Sequence, residues 1–191
     1  MNVGEAGIAR VARGPARATL RSVTTIDLGR LRLRPGDVRE ERLELELEPF
    51  VLGGQRYEPS PPRLPVDLRI SQASGATVFE LRLRAHLAGP CMRCLAFAQV
   101  EASAYAREFH DPDAPLADGL RSDYVSDDRL DVAAWARDAI ALELPEQILC
   151  RPDCAGLCPV CGKDMNVEPH EHADRELDPR WAALSELRDQ L

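Results

Sequence analysis

Lysine is almost missing from this 191-residue chain: Lys163 stands alone against twenty-three arginines. That imbalance reads as the coding bias of a GC-rich genome, so arginine abundance alone is weak evidence for nucleic-acid binding. Long apolar runs are missing too. The best of them, "AAWARDAIALELP" at 133–145, is far too short and too charged to cross a bilayer, and no apolar h-region of a signal peptide opens the chain. A soluble cytoplasmic protein without a membrane partner is therefore expected. No Ser/His/Asp arrangement, phosphate-cradling glycine loop or dinucleotide fingerprint stands out, and paired carboxylates are too common in an acidic chain to signify. The expectation is a protein that is not an enzyme and takes no small-molecule substrate. Internal repeats are absent as well.

What is present is a length suited to one domain with tails, or two small modules. The net charge of -8 is polarised along the chain. Residues 1–36 hold seven Arg against two acids, whereas residues 101–191 hold nine bases against twenty-one acids. An acidic body opposes nonspecific phosphate binding, while a basic arm can still touch RNA or an acidic protein, so any RNA contact should be local. Six cysteines would permit three disulfides in a secreted chain. In a reducing compartment they read as metal ligands.

The patterning is strand-rich. "ERLELELEPF" alternates Leu43, Leu45 and Leu47 with glutamates, the period of a half-buried strand. "EPSPPRLP" reads as a loop. "VDLRI" and "TVFELRLRAHLAGP" alternate likewise, and with the turn "SQASGA" between them they form a hairpin of an antiparallel sheet with one wet face. "CMRC" then falls in the turn of a second hairpin, before the long strand "LAFAQVEASAYAREF". A helix is expected near 131–144, with Asp131 as N-cap and Val132, Trp135, Ala139 and Leu142 on its apolar stripe. "DPRWAALSELRDQL" reads as a terminal amphipathic helix, capped by Asp178 and anchored by Trp181. The fold class expected is α+β: an antiparallel β-rich domain with a zinc-knuckle segment and a C-terminal helix. Its parts are a disordered basic arm at 1–22, the β-rich domain at 23–145, a zinc-binding segment at 146–175 docked on the 91–94 hairpin, and the final helix at 176–191.

The chemistry gathers around cysteine. Cys91 and Cys94 form one Cys-x-x-Cys pair. A second stretch, "CRPDCAGLCPVCGKDMN", places Cys150, Cys154, Cys158 and Cys161 within twelve residues. A Cys-x-x-Cys turn aims both sulfurs at one ion. In "CPVCG", Pro159 stiffens the turn and Gly162 lets the chain reverse, which is the knuckle of zinc ribbons. His170 and His172 come next, in "HEH". As a His pair in an acidic loop they are ordinarily solvated, but just after a Cys-x-x-Cys they can complete a Cys2His2 tetrahedron.

Two ligand sets close a tetrahedron. In one, Cys91, Cys94, Cys150 and Cys154 hold a first zinc while Cys158, Cys161, His170 and His172 hold a second. In the other, Cys91 and Cys94 join Cys158 and Cys161 around a single zinc, leaving Cys150 and Cys154 spare. Eight candidate ligands divide evenly by four, which favours two. The spacing in "CAGLCPVC" also occurs in radical enzymes that hold an iron-sulfur cluster, but there it comes after an early strand of a βα barrel. A thioredoxin-like dithiol needs a βαβ unit, and the stretch after Cys94 reads as strand. His86 and His110 read as satisfied or solvated histidines. Arg69, Arg82 and Arg84 could line a basic sheet face for RNA phosphates, against the plainer reading of an alternating wet face.

"CMRCL", the helix ending in "LELP", "LCRPDCAGLCPVCGKDMN" and "ELDPRWAAL", in that order, resemble the YceD family, the bacterial and plastid large ribosomal RNA subunit accumulation proteins. "IDLGRLRLRPGD" is similar to the N-terminal segment of actinobacterial members, so the resemblance covers about residues 24–190. It implies a role in accumulation or processing of 23S rRNA, with pre-rRNA or a large-subunit ribosomal protein as partner. Members of the family often carry a further Cys-x-Cys where this chain has "HEH", which implies ligand roles for His170 and His172 by position. Some branches lack the knuckle and keep pairs resembling Cys91/Cys94 and Cys150/Cys154, which implies that those four form one site. The expected function is a zinc-binding ribosome-biogenesis factor supporting large-subunit assembly. The alternative is an acidic adaptor or chaperone whose C-terminal half binds a basic ribosomal protein.

Overall fold

Strands dominate the computed structural model, which describes residues 24–115 and 118–172. In chain order they are β1 (Thr25–Asp27), β2 (Val38–Glu46), β3 (Phe50–Leu52), β4 (Gln55–Pro59), β5 (Arg63–Gln72), β6 (Thr77–Pro90), β7 (Phe97–His110), β8 (Val125–Ser126) and β9 (Arg129–Asp131). The helix α1 (Val132–Leu142) comes directly after β9. With antiparallel sheets and one helix among the described residues, the chain is a β-rich α+β protein. The expected basic arm at 1–22 and C-terminal helix at 176–191 lie outside the described residues.

Strand β6 is the spine of the larger sheet. It pairs with β7 over its whole length, from Thr77 opposite His110 to Pro90 opposite Phe97. That occupies one edge completely. The other edge is shared end to end by β5, from Gln72 to Val66, and by β4, at Glu58 and Pro59. Strand β2 extends the sheet beyond β5, and β3 beyond β4. The small sheet has the order β1-β9-β8 and leads the chain into the helix.

The alternation legible in the sequence sets which face is dry. Leu43, Val66, Leu83 and Ala104 stand opposite one another across β2, β5, β6 and β7, and all four are buried. Because side chains alternate with period two, the next row, Arg42, Asp67, Arg82 and Tyr105, projects to solvent. Helix α1 covers the dry face over β6 and β7. Its Trp135 is 2% exposed and meets Phe79 edge-on, with ring centroids 6.5 Å apart. Asp131 caps the helix by accepting a 2.9 Å hydrogen bond from the Ala134 N–H.

Two details depart from the sequence reading. Leu142 is 86% exposed, and Ala136 takes its place on the apolar stripe with Val132, Trp135, Ala139 and Ile140. At 3.6 residues per turn Leu142 falls on the trailing edge of that stripe, in the last turn before the Glu143 cap. The proline-rich "EPSPPRLP" is mostly strand, with only Ser60–Pro62 between β4 and β5. Upstream, Gly53 and Gly54 take φ of 56° and 77° in a two-residue turn joining β3 to β4. Positive φ at both positions is what a type I′ hairpin requires.

Candidate metal centre

The turn between β6 and β7 presents the first cysteine pair. The Cys91 N–H donates to the Ala96 carbonyl at 2.6 Å and the Leu95 N–H donates back to the Cys91 carbonyl at 3.0 Å, with Leu95 at a φ of 62°. This closed turn aims Cys91 and Cys94 inward, at 0% and 8% exposure. The chain leaving α1 is pinned beside it: the Met92 N–H donates to the Ile148 carbonyl at 2.9 Å, and the Ile148 N–H to Met92 Sδ at 3.4 Å. With Ile148 held there, Cys150 arrives opposite Cys94.

Sequence separation disappears at this point. Cys91 Sγ lies 3.8 Å from Cys154 Sγ, and Cys94 Sγ lies 3.5 Å from Cys150 Sγ. All four sulfurs fall within 4.8 Å of one another. A zinc tetrahedron with Zn–S of about 2.3 Å has S···S edges of about 3.8 Å, so the separations fit that ion, whereas a disulfide needs about 2.05 Å. Burial pushes the Cys91 thiol up, but backbone donors around the turn outweigh it and hold it at about 6. Cys150 is pushed up to about 12, first by its hydrogen bond with Cys94 and then by burial and the crowding of Cys154 and Cys91. Four sulfurs this close cannot all ionise against one another, and a divalent cation among them reverses that preference.

A second group forms from the knuckle. The Gly162 N–H donates to the Cys158 carbonyl and the Cys158 N–H to the Lys163 carbonyl, both at 2.8 Å, with Gly162 at a φ of 74°. Cys161 Sγ then lies 3.1 Å from His170 Nε2, which lies 3.1 Å from His172 Nε2. The four ligand atoms of Cys158, Cys161, His170 and His172 also fall within 4.8 Å. His170 Nδ1 is 2.7 Å from the Glu168 carbonyl; donation there fixes the tautomer that leaves Nε2 with a free lone pair. Backbone donation from Cys161 is the main cause holding the Cys158 thiol at about 6, and the Glu168 carbonyl is the main cause raising His170. Both clusters are compatible with zinc. The structure groups Cys91 and Cys94 with Cys150 and Cys154, not with the knuckle.

Around these candidate ligands stand residues that the Cys and His spacing does not mark. Arg93, inside "CMRC", donates through Nη1 to the Cys154 carbonyl at 3.0 Å and through Nε to Gln147 Oε1 at 2.9 Å, while its own carbonyl accepts from the Leu157 N–H at 3.1 Å. A Cβ on Gly156 would come within 3.2 Å of the Arg93 carbonyl oxygen, and Gly156 has a φ of 78°. Asn166 donates from Nδ2 to Cys154 Sγ at 3.5 Å and to Asp164 Oδ1 at 2.6 Å. Its Oδ1 accepts from the Ala155 N–H and from Arg151, both at 2.7 Å. For Asn166 alone a local hint exists: "DMN" after the knuckle, an Asp two residues before an Asn, is turn chemistry.

The three arginines assigned to RNA share the exposed face of the large sheet. Arg69 is 3.6 Å from Glu80, and Arg82 lies over the Tyr105 ring at 5.0 Å. Arg84 has no ion pair among the described residues and lines, with Arg42, Pro65, Arg82 and Tyr105, an open groove of about 390 Å³. Of the single histidines, His86 is half-buried, and His110 accepts the Ser122 N–H at Nδ1 at 3.3 Å. Burial and Arg121 hold the His110 pKa low.

Fold and site together define a β-rich α+β protein with two four-ligand clusters compatible with zinc, one joining cysteine pairs distant in sequence and one formed by a cysteine knuckle and the histidines that follow it. The chain belongs to the YceD family: residues 79–188 match the model described as "Large ribosomal RNA subunit accumulation protein YceD". An uncharacterized protein of Mycobacterium tuberculosis, Rv2926c, is 34% identical over 187 residues, covering 91% of this chain and 86% of the relative. The uncharacterized protein YlbN of Bacillus subtilis is 30% identical over 128 residues, covering 65% and 71%. No solved structure matches the chain. The family name implies a role in accumulation of large-subunit ribosomal RNA and is not that of a known enzyme family. Among the described residues no helix is long and apolar enough to cross a membrane.

Proposed function

We propose that this chain is a cytoplasmic, zinc-binding ribosome-biogenesis factor that supports 23S rRNA accumulation and large-subunit assembly without catalysing a reaction. One zinc ion, held by Cys91, Cys94, Cys150 and Cys154, fastens the chain beyond residue 146 onto the tip of the β6–β7 hairpin, and a second, held by Cys158, Cys161, His170 and His172, closes the knuckle loop that follows. The observation that supports this most directly is the meeting of four sulfurs from two distant pairs at tetrahedral spacing. Metal here serves architecture: it presents one surface of hairpin tip, knuckle and exposed sheet face to a partner.

That partner is pre-rRNA or a large-subunit ribosomal protein. Arg82 and Arg84 beside Tyr105, with Arg69 further along the same face, supply cations next to a stacking surface, which suits a single strand of RNA. Depleting the protein should lower 23S rRNA and free large subunits relative to small ones; unchanged levels would defeat the reading. Elemental analysis should give two zincs per chain, falling to one in Cys158→Ser with the sheet intact.

A second reading is favoured by one observation. Asp111, Asp113, Asp118, Asp123, Asp127 and Asp128 crowd the connection from β7 to β9, whose one base is Arg121. Such a surface suits a basic ribosomal protein held as by a chaperone. Binding that survives reversal of these charges removes this reading and leaves the first.

A further inference from the structure

Asn166 stands between the two clusters, and every hydrogen-bonding position of its side chain is used. Oδ1 takes two donors, Ala155 N–H and Arg151, while Nδ2 gives its two hydrogens to Cys154 Sγ and Asp164 Oδ1. The amide orientation is dictated by chemistry: flipped, its oxygen would face a carboxylate and a sulfur while its NH2 faced two donors. Cys154 belongs to the first cluster and is 1% exposed. Asn166 itself lies inside the loop that runs from Cys158 to His170 and that the second cluster closes. The return of this loop is laid along the first cluster's own chain, with the Met165 N–H donating to the Gly156 carbonyl at 2.9 Å and Leu157 bridged to Asp164.

We infer that Asn166 is a positioning residue that couples the two metal sites, donating to the Cys154 sulfur from the loop that the second site closes. This rests on the zinc reading given above. A metal at the second cluster fixes residues 158–172 and so presents the Asn166 amide to Cys154. The donated hydrogen bond stabilises the thiolate and holds the ligand's rotamer. Hydrogen-bonding partners of ligands commonly set metal affinity by about 10–100-fold. Because coupling of affinities is reciprocal, metal at the first site favours closure of the second by the same factor.

The test uses the full chain with Co2+ and Zn2+, and compares wild type, Asn166→Ala, Cys158→Ser and the double variant. First-site affinity is read by chelator competition, and bond character by the thiolate-to-cobalt charge-transfer band. Asn166→Ala should lower first-site affinity roughly 10-fold in wild type. In the Cys158→Ser background the same substitution should change it less than about 2-fold, since Asn166 is no longer presented. Losing the hydrogen bond leaves sulfur electrons higher in energy, so the band should shift to longer wavelength. Asn166→Asp, nearly isosteric, turns a carboxylate oxygen toward Cys154 and Asp164 and should weaken the site further. Thermal melts of metal-free proteins separate this from misfolding, because the metal-free chains should melt alike. An equal loss in both backgrounds, or an unshifted band, overturns the coupling. A wild type that binds no zinc overturns the metal reading itself, a different result.

Discussion

Cys94 Sγ and Cys150 Sγ stand 3.5 Å apart although fifty-six residues separate them in the chain. One lies in the turn of the long hairpin and the other beyond the helix, so their meeting ties the sheet to the chain beyond α1. The two clusters differ in depth: in the first only Cys150 is exposed, while Cys91, Cys94 and Cys154 are buried, whereas in the second only Cys158 is buried, and Cys161 and His172 are exposed. Removing a ligand should therefore have unequal consequences. Cys94→Ser should lose one zinc and cost ~3 kcal/mol or more, a drop of about 6–12 °C in Tm for a chain of this size. Cys161→Ser should lose the other zinc and, through the roughly 10-fold weakening of the first site, cost only about 1.4 kcal/mol, a drop of about 3–6 °C. Elemental analysis with circular-dichroism melts checks both; equal destabilisation by the two would contradict the difference in depth.

Gly89, two residues before Cys91, packs where a side chain cannot. An added Cβ would lie 2.5 Å from Tyr57 Cδ1 and 2.7 Å from the Arg56 carbonyl oxygen. Tyr57 is fully buried and donates its hydroxyl to the Pro90 carbonyl at 2.8 Å, which locks β4 against the end of β6. Backbone oxygen yields little, so Gly89→Ala should destabilise by about 1–3 kcal/mol. Urea unfolding measures this. A neutral result would mean that β4 moves away freely.

Much of this architecture is legible in the sequence alone. The runs around Leu43, Leu68 and Leu83 alternate so strictly that face and pairing are set by period two. The Asp131 cap and the Trp135 stripe are equally plain. Other parts are opaque for physical reasons. The β3–β4 hairpin hangs on Gly53-Gly54, a turn signal between strands too short to show a period. The small sheet uses strands of two and three residues, held by pairing with distant partners and not by pattern. In the candidate metal centre, spacing picks out all eight residues of the two clusters but leaves two pairings open, because Cys-x-x-Cys units look alike from either side. What resolves the grouping is the bond from Met92 to Ile148, which no local pattern encodes.

Tyr124 gives a pH dependence with a definite sign. Burial first, and then its hydrogen bond to Asp138 at 2.9 Å, push its pKa up to about 12. A phenol whose folded pKa exceeds its unfolded value near 10 contributes stability that is fully present below pH 10. That contribution is lost as pH climbs from 10 toward 12. Phenolate absorbance should show a late-ionising tyrosine that disappears in Tyr124→Phe, and the variant's stability should fall less steeply across that interval. If wild type and variant lose stability in parallel there, the hydroxyl is not what holds the proton.

The exposed sheet face offers Arg82 and Arg84 to solvent beside Tyr105. If Arg82 and Arg84 contact RNA phosphates, each releases bound counterions, and affinity falls with salt in proportion to the number of contacts. For single strands the slope of log affinity against log salt is about 0.7 per phosphate contact. Arg84→Ala should thus lower the slope by about 0.7 and weaken binding of a 23S-derived single strand, with zinc content and melting unchanged. Arg82→Ala removes both a cation and its stacking on Tyr105, so it should cost more affinity for the same change in slope. Arg56→Ala, on β4 and paired with Glu58, controls for net charge alone. Should all three variants shift binding alike, overall charge and not this groove governs the contact, and the acidic connection between β7 and β9 becomes the surface to pursue with a basic ribosomal protein.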